Sequence, residues 1–188
     1  MAESYDVVIL GGGLAALTLG IQLKQERPQT AIAVIEKREG PAPEAAFKVG
    51  ESTVELSAQY FANVVGMKAH LEADENPKAG LRFFFPADGN RDIARRVEWG
   101  SPRWPVVPAF QVDRGRFENA LAERCAELGV EVIGGAFVDG VELSRDGHVI
   151  TIVRGGPGGE RSTIWFSVRS WSTSLITARA SLLSTLGL

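Results

Sequence analysis

The sequence is poor in cysteine and histidine. Its one cysteine, Cys125, excludes a disulfide within the chain, and no CxxC partner accompanies it. Because Cys125 falls within the helical pattern FENALAERCAELG, we expect a buried structural thiol. The two histidines, His70 and His148, lack the spacing of metal ligands and are expected at the surface. The sequence therefore predicts no metal site.

Long apolar runs and an excess of positive charge are also absent. No run of about 18 apolar residues could cross a bilayer, and a net charge of -3 provides no basic surface for nucleic acid. The start, MAESYDVVIL, has acidic residues where a secretory signal would have basic ones. We therefore expect a cytoplasmic protein without membrane or nucleic-acid partners.

What is present is the composition of a globular protein, with 45% hydrophobic and 23% charged residues. The β-branched runs YDVVIL and AIAVIE predict buried strands at residues 5–10 and 31–36, and LAALTLGIQLKQE between them has helical spacing. Such a β-α-β crossover pairs two parallel strands. We predict an α/β fold whose Rossmann-like core, with a parallel sheet, covers about residues 5–36 and 110–153.

The middle of the chain predicts an inserted helix and a small additional β region at about residues 50–105. Ser52 and Glu55 form a capping-box pattern for a helix from Thr53 to about Val65. LRFFF and RRVEWG predict a pair of strands in a separate or edge region, with FFF in the core.

The pattern continues with one long helix and three strands. The helix is predicted from about Arg114 to Leu128, and the strands are VEVIGG, AFVDGVELS and HVITIVR. Asp146 and Gly147 are expected to form the hairpin turn that joins the last two strands.

The segment GGGLAA fits the pattern G-x-G-x-x-G/A between the first strand and the first helix. Gly11 permits the tight turn, Gly13 lets a pyrophosphate approach the backbone, and Ala16 lets the helix pack on the strand. Glu36, which ends the next strand, can accept hydrogen bonds from an adenosine ribose. The predicted nucleotide contacts are Gly11, Gly13, Leu14, Ala15, Ala16, Glu36 and Lys37. Either Lys37 or Arg38 could meet a phosphate or be solvated, and a glycine turn without a nucleotide remains the alternative.

A second glycine turn follows in KVGESTVEL. Together with DVVILGGGLAAL, PKAGLRFFF and FQVDRGRFENAL, it resembles the N-terminal part of flavin-dependent halogenases of the tryptophan-halogenase type, within the FAD-dependent monooxygenase-like proteins. The resemblance covers about Tyr5 to Val153. It implies that the first turn binds the ADP part of FAD and that Gly50, Glu51, Ser52 and Thr53 line the flavin. It further implies that Arg114 approaches the cofactor and that Val138 meets the adenine through its backbone.

Lys78, in PKAGLRFFF, matches the position of the family's active-site lysine. The resemblance implies that FADH2 from a separate flavin reductase reacts with oxygen and that halide becomes a hypohalous acid. Lys78 then hydrogen-bonds this acid or becomes a haloamine, and it presents electrophilic halogen to an electron-rich aromatic, free or carrier-bound. The alternative is a solvated lysine in the turn-like context ENPKAG.

The sequence departs from the family at its C-terminal end. The G-W-x-W-x-I-P signature is absent, and residues 161–188 contain no Asp or Glu that could supply the second cofactor motif, D-[AG]-[ST]-G. We therefore interpret residues 1–188 as a partial, C-terminally incomplete FAD-binding domain with an atypical end at 161–188. Compensated frameshifts at about Trp165 to Thr177 are one hypothesis for this end. The chain alone is then expected to hold little FAD and not to halogenate.

Three functional classes stay open at this point. The first is a flavin-dependent halogenase or a remnant of one. The second is another flavoenzyme on the same scaffold, such as an aromatic hydroxylase or a geranylgeranyl-reductase-like enzyme. The third is a non-catalytic nucleotide-binding fragment. Fold alone does not decide among them.

Overall fold

The structure is a computed structural model that describes residues 4–86, 89, 91–103, 105–144, 147–155, 159–166 and 176–177. The hairpin turn predicted at Asp146 and most of the segment attributed to frameshifts lie outside these residues. In chain order the elements are β1 (Ser4–Tyr5), β2 (Val7–Leu10), α1 (Leu14–Glu26), β3 (Ile32–Ile35), α2 (Glu55–Gln59), a π-helical turn (Tyr60–Val64), α3 (Lys68–Asp74), β4 (Asn76–Lys78), β5 (Arg82–Phe85), a 3-10 turn (Ile93–Arg95), β6 (Val97–Gly100), β7 (Ala109–Gln111), α4 (Arg114–Glu127), β8 (Val130–Ile133), β9 (Ala136–Glu142), β10 (His148–Arg154), β11 (Glu160–Phe166) and β12 (Ile176–Thr177).

The chain divides into two compact units. Unit 1 comprises Met1–Ala46 with Arg114–Leu188, and unit 2 comprises Phe47–Asp113. The inserted region predicted at about residues 50–105 falls within unit 2.

Unit 1 is built on a parallel sheet in the order β12-β2-β3-β8, which confirms the predicted fold class. The side chains of β2 and β3 are almost fully buried because both faces of the sheet are covered. Helix α1 covers one face so closely that a Cβ on Gly20 would lie 3.5 Å from Val130. On the other face, Val8 and Ile35 join Ile150 and Ile152 of β10 in one apolar cluster.

The second sheet of unit 1 has the order β1-β11-β10-β9. Its strands β9, β10 and β11 are antiparallel neighbours, and β1 joins β11 in parallel. Strand β11 was not predicted, because residues 161–166 were interpreted only as part of an atypical end.

Unit 2 contains α2, α3 and two small antiparallel sheets, β4-β7 and β5-β6. The predicted helix at residues 53–65 begins later than expected and changes type. Ser52 is not its cap: the helix starts at Glu55, where the Ser57 hydroxyl accepts the N–H of Val54. Residues Tyr60–Val64 form a π-helical turn. The start is delayed because Ser52 and Thr53 bond to β7 in extended backbone instead.

Two predictions about side-chain environment are wrong, and so is the turn context considered as the alternative for Lys78. Phe83, Phe84 and Phe85 are not core residues, since each is 44% to 53% exposed on the two-stranded β5-β6 sheet. Lys78 lies in a strand, not in a turn, because β4 pairs with β7. His70 is half-buried, with its side chain only 16% exposed, because it pairs with Asp74 and Glu75, and His148 is also half-buried.

Cys125, on α4, is fully buried, as predicted, and its thiol donates to the carbonyl oxygen of Leu17. Among the described residues, no helix combines the length and apolarity that a membrane crossing needs.

Candidate functional site

The glycine turn of unit 1 joins β2 to α1, and each of its glycines has a different constraint. Gly11 has φ of 99°, a conformation that favours glycine. Gly13 is the N-cap of α1 with φ of -85°, and no side chain caps the helix. A Cβ on Gly13 would meet a single atom within 4 Å, Glu118 Oε1 at 3.9 Å. The turn therefore leaves open space in front of the first N–H groups of α1, which no side chain of the described residues caps and which favour an anion.

Gly12 makes a contact that the sequence reasoning missed. Its N–H donates to Glu36 Oε2 at 2.5 Å, and a Cβ on Gly12 would lie 2.7 Å from the Cβ of Glu36. The middle glycine of the run GGG was the available signal, since G-x-G-x-x-G itself does not require glycine at this position. Gly12 therefore lets the glycine turn approach the end of β3.

The carboxylate of Glu36 is oriented by two backbone donors. Besides Gly12, the N–H of Arg38 donates to Glu36 Oε1 at 2.8 Å. A carboxylate has about four lone-pair sites, so further acceptor capacity remains for a ribose hydroxyl.

A cavity of about 230 Å³ lies beside this turn in unit 1. Residues that line it include Gly12, Leu17, Glu36, Arg38, Glu118 and Val132. The Nε atom of Arg38 is buried and lacks a hydrogen-bond partner in the part of the chain that the structure describes. A buried donor without a partner costs free energy, and the side chain that carries it belongs to a residue lining the cavity. Lys37, predicted as a contact, is exposed and is not among the lining residues, and Arg38 lines the cavity instead.

Arg114 begins α4 and forms an ion pair one turn along the helix. Its Nη2 lies 2.5 Å from Oε1 of Glu118, whose side chain is only 2% exposed. The same oxygen faces the space above Gly13. Arg114 is thereby held at the start of α4, and Glu118 is a second residue of this region that the sequence reasoning missed.

The structure does not bring Val138 to the cavity. Its backbone belongs to β9, where it is paired with Ile152 of β10. Val132 and Gly134, at the end of β8, line the cavity instead.

The second glycine turn, in unit 2, is fastened to β7. The N–H of Thr53 donates to the carbonyl oxygen of Phe110 at 2.9 Å, and the carbonyl of Glu51 accepts the N–H of Val112 at 2.8 Å. Gly50 has φ of 91°, so its backbone favours glycine. The turn is thus an extended edge paired with β7, and not the first turn of a helix.

Lys78 lies on β4, which pairs with the edge of β7 opposite to the one that the turn occupies. Its Nζ donates to the hydroxyl of Ser52 at 3.0 Å and to the carbonyl oxygen of Thr53. Within unit 2 the structure therefore brings together the two features that the sequence resemblance singled out, the lysine and the G-E-S-T turn.

No metal centre is evident among these elements. In the described segments, no three residues of the types His, Cys, Asp and Glu are grouped in a way that could hold a metal ion.

Comparison with known sequences gives partial matches to halogenases. No model of a known protein family matches the chain. The chain is 34% identical over 123 residues to the flavin-dependent halogenase chlA of Dictyostelium discoideum, a match that covers 62% of this chain and 20% of that protein. It is 30% identical over 150 residues to a 1H-pyrrole-2-carbonyl-(peptidyl-carrier protein) brominase of Pseudoalteromonas luteoviolacea, covering 79% and 32% respectively. The chain thus spans about a fifth to a third of these relatives.

Solved structures share the fold. The myxobacterial chondrochloren halogenase CndH, described as an FAD-dependent halogenase, superposes with a TM-score of 0.68 at 20% identity, covering 89% of this chain and 36% of that chain. Halogenase PltM in complex with phloroglucinol and FAD gives a TM-score of 0.66 at 16% identity, covering 93% and 34%. The chain is therefore similar in sequence to part of these flavin-dependent halogenases, and it shares the fold of the corresponding part of the solved halogenases.

Proposed function

We propose that this chain is the FAD-binding part of a flavin-dependent halogenase that halogenates an electron-rich aromatic substrate. The observation that carries the proposal is the contact of Lys78 Nζ with Ser52 Oγ at 3.0 Å. The lysine is the residue that the halogenase resemblance assigns to chemistry, and Ser52 belongs to the turn that it assigns to the flavin.

Unit 1 supports FAD as the cofactor. The open space at Gly13 and the uncapped start of α1 suit a pyrophosphate, while Glu36 suits the ribose hydroxyls. Arg38 lines the same cavity and can bring positive charge to it. Arg114, at the start of α4, neutralises the carboxylate of Glu118, whose Oε1 faces the space assigned to the diphosphate. When bound, FAD supplies the reduced flavin whose reaction with oxygen provides the oxidising power for converting halide to hypohalous acid.

Lys78 carries the halogen-transfer role in this proposal. Its ammonium can donate a directed hydrogen bond to hypohalous acid, and its free amine can react to give a haloamine. Either form presents electrophilic halogen to the aromatic ring of a free or carrier-bound substrate. A separate flavin reductase supplies FADH2, and chloride or bromide supplies the halogen.

Titration with FAD tests the cofactor assignment in the purified 188-residue chain. We expect weak, saturable binding, measured by quenching of flavin fluorescence, and competition by ADP. Because the diphosphate and ribose contacts are assigned to unit 1, AMP should compete less than ADP. FAD binding that ADP does not reduce would contradict the assignment of the ADP part to unit 1.

A chimera tests the halogenase assignment, because the chain spans only about a third of the brominase that it matches. In the chimera, this chain replaces the matched segment of the Pseudoalteromonas luteoviolacea brominase. With FADH2, bromide and the pyrrole substrate named for that enzyme, we expect bromination that Lys78→Ala abolishes and Lys68→Ala leaves intact. Oxygenation of the pyrrole without bromide would favour a hydroxylase, and bromination by the Lys78→Ala chimera would remove the lysine from the proposal.

A further inference from the structure

We propose that Ser52 and Thr53 are positioning residues for Lys78, an inference that rests on the proposed function of Lys78. The hydroxyl of Thr53 fastens the turn to β7, and the hydroxyl of Ser52 holds the lysine ammonium. This role differs from contact with the flavin, which the sequence resemblance implies for both residues.

The side chain of Thr53 takes part in the hydrogen bonding of the β-sheet. Its side chain is buried, and its Oγ1 both donates to the carbonyl oxygen of Phe110 and accepts the N–H of Phe110, each at 2.8 Å. Together with the backbone N–H of Thr53, three hydrogen bonds therefore join this one residue to Phe110. A hydroxyl is needed at this position, because an apolar side chain of the same size would remove the acceptor for the N–H of Phe110 and leave its carbonyl only the backbone N–H of Thr53.

Pairing with β7 sets the position of Lys78 along the strand relative to the G-E-S-T turn. On one side of β7, Ser52 is bridged to Gln111 while Thr53 bonds to Phe110. On the other side, Pro77 is the register partner of Phe110, and Lys78 is the partner of Ala109. Because a slip of one residue in either pairing would turn the side chains to the opposite face, the register decides whether Lys78 can reach the turn.

Ser52 then holds the end of the side chain. Lysine carries its ammonium on a flexible four-carbon stem, so its position must be fixed by hydrogen bonds. The ammonium of Lys78 has two acceptors here, the hydroxyl of Ser52 and the carbonyl of Thr53. Holding a reacting group in one place lowers the entropic cost of reaction, which is the function we assign to this pair of acceptors.

Amine labelling of the full 188-residue chain, without FAD or halide, tests the inference. An N-hydroxysuccinimide ester at fixed pH acylates each lysine, and mass spectrometry gives the rate at Lys78 relative to Lys68, whose side chain is 67% exposed. We expect Ser52→Ala to raise the relative rate at Lys78 by roughly tenfold, the scale of a lost hydrogen bond to a charged group. Ser52→Thr, which keeps a hydroxyl, should stay near the parent rate.

A second pair of variants tests the register role, with circular dichroism as the check of folding. Thr53→Val should also raise labelling of Lys78, whereas Thr53→Ser should not. If Thr53→Val does not fold, the Ser52 pair decides, since Ser52 is exposed and its replacement leaves the core intact. Ser101→Ala, an exposed serine of the same unit, is the matched control.

The inference is overturned if Ser52→Ala labels Lys78 at the parent rate, or if Ser52→Thr labels it as fast as Ser52→Ala. Failure of the proposed function has a different signature, because the labelling assay contains neither flavin nor halide. Normal FAD titration with unchanged labelling in Ser52→Ala would remove only the positioning role. Absence of FAD binding would remove the proposed function whatever the labelling result.

Discussion

At the scale of the residue, the three glycines of the first turn are needed for three different physical reasons. Gly11 has a positive φ, and Gly12 is pressed against the side chain of Glu36. Gly13 has an ordinary φ and open space in front of it. The fold itself therefore requires Gly11 and Gly12, whereas the open space at Gly13 is the space that the proposed function assigns to the pyrophosphate.

Gly13→Val should separate ligand binding from folding. A valine Cβ meets no described atom closer than 3.9 Å, so the free energy of unfolding should fall by only about 1 kcal/mol, the scale of an altered N-cap. FAD affinity should fall more than tenfold, because the side chain occupies the space assigned to the pyrophosphate. Urea unfolding and FAD titration measure the two effects.

Two further variants control that experiment. Gly140→Val adds the same side chain to β9, where a Cβ would meet nothing within 4 Å, and should leave FAD affinity unchanged. Gly12→Ala, unlike Gly13→Val, should clearly destabilise the fold, because its Cβ would clash with Glu36. Equal FAD affinity in Gly13→Val and the parent would remove this turn from the cofactor site.

At the scale of the element, α4 organises the irregular chain that follows β3. The side-chain amide of Asn119 bonds both backbone groups of Ala42, at 2.7 and 3.0 Å. Arg116 pairs with Glu44 at 3.3 Å, and Gly115 lies directly against the backbone of Pro43. A single helix face thus holds residues 42–44 by hydrogen bonds, charge and close approach.

Gly115→Ala should release this segment. An added Cβ would lie 2.0 Å from the carbonyl oxygen of Pro43, so either the segment or the helix must shift. We expect the free energy of unfolding to fall by about 1–3 kcal/mol, the usual cost of overpacking. Trypsin should also cleave faster after Arg38. Glu123→Ala, at an exposed position of the same helix, is the control, and equal stability of the two variants would contradict the contact.

At the scale of the whole molecule, unit 1 is stabilised by layers on both faces of its parallel sheet. The apolar cluster of β2, β3 and β10 lies on one face, and α1 lies on the other. Cys125 of α4 is fully buried, and its thiol donates to the carbonyl of Leu17 in α1 at 3.5 Å. Its chemistry therefore reports whether this layer is intact.

Burial raises the pKa of the Cys125 thiol from 9.0 to about 12. Below pH 9.0 the thiol is protonated in both states, and its contribution to stability is fully present. Above pH 9.0 the unfolded state ionises while the folded state keeps its proton, so the free energy of unfolding should fall by about 1.4 kcal/mol per pH unit until pH reaches about 12.

Comparison of the parent with Cys125→Ala isolates this effect, since other groups titrate equally in both. The free energy of unfolding of the parent should fall relative to that of Cys125→Ala as pH rises above 9.0, as measured by urea unfolding at several pH values. Thiol reagents should modify Cys125 only in step with unfolding. Rapid modification of the native chain at neutral pH would contradict the burial.

The sequence by itself determined the elements that local pattern specifies. The runs VVIL and IAVI are β-branched and apolar enough to be strands buried on both faces, and the glycine run between strand and helix predicted the turn. The helix from Arg114 was predicted to end at Leu128 and ends at Glu127. The agreement is close because apolar spacing is a property of residues that are neighbours in sequence. The resemblance assigned separate roles to Lys78 and to the G-E-S-T turn, and the contact between them was not predicted.

The tertiary structure decided everything that depends on pairing between distant residues. Ser52 and Glu55 carry a valid local capping pattern, yet bonds from Ser52 and Thr53 to β7, almost 60 residues away in sequence, keep that stretch extended. Pairing with the same strand makes NPK in ENPKAG a β-strand and brings Lys78 to Ser52. Arg38 and Glu118 likewise line the cavity because the tertiary structure brings distant segments together. Local propensities are worth fractions of a kcal/mol per residue, so hydrogen bonds and burial supplied by distant segments override them.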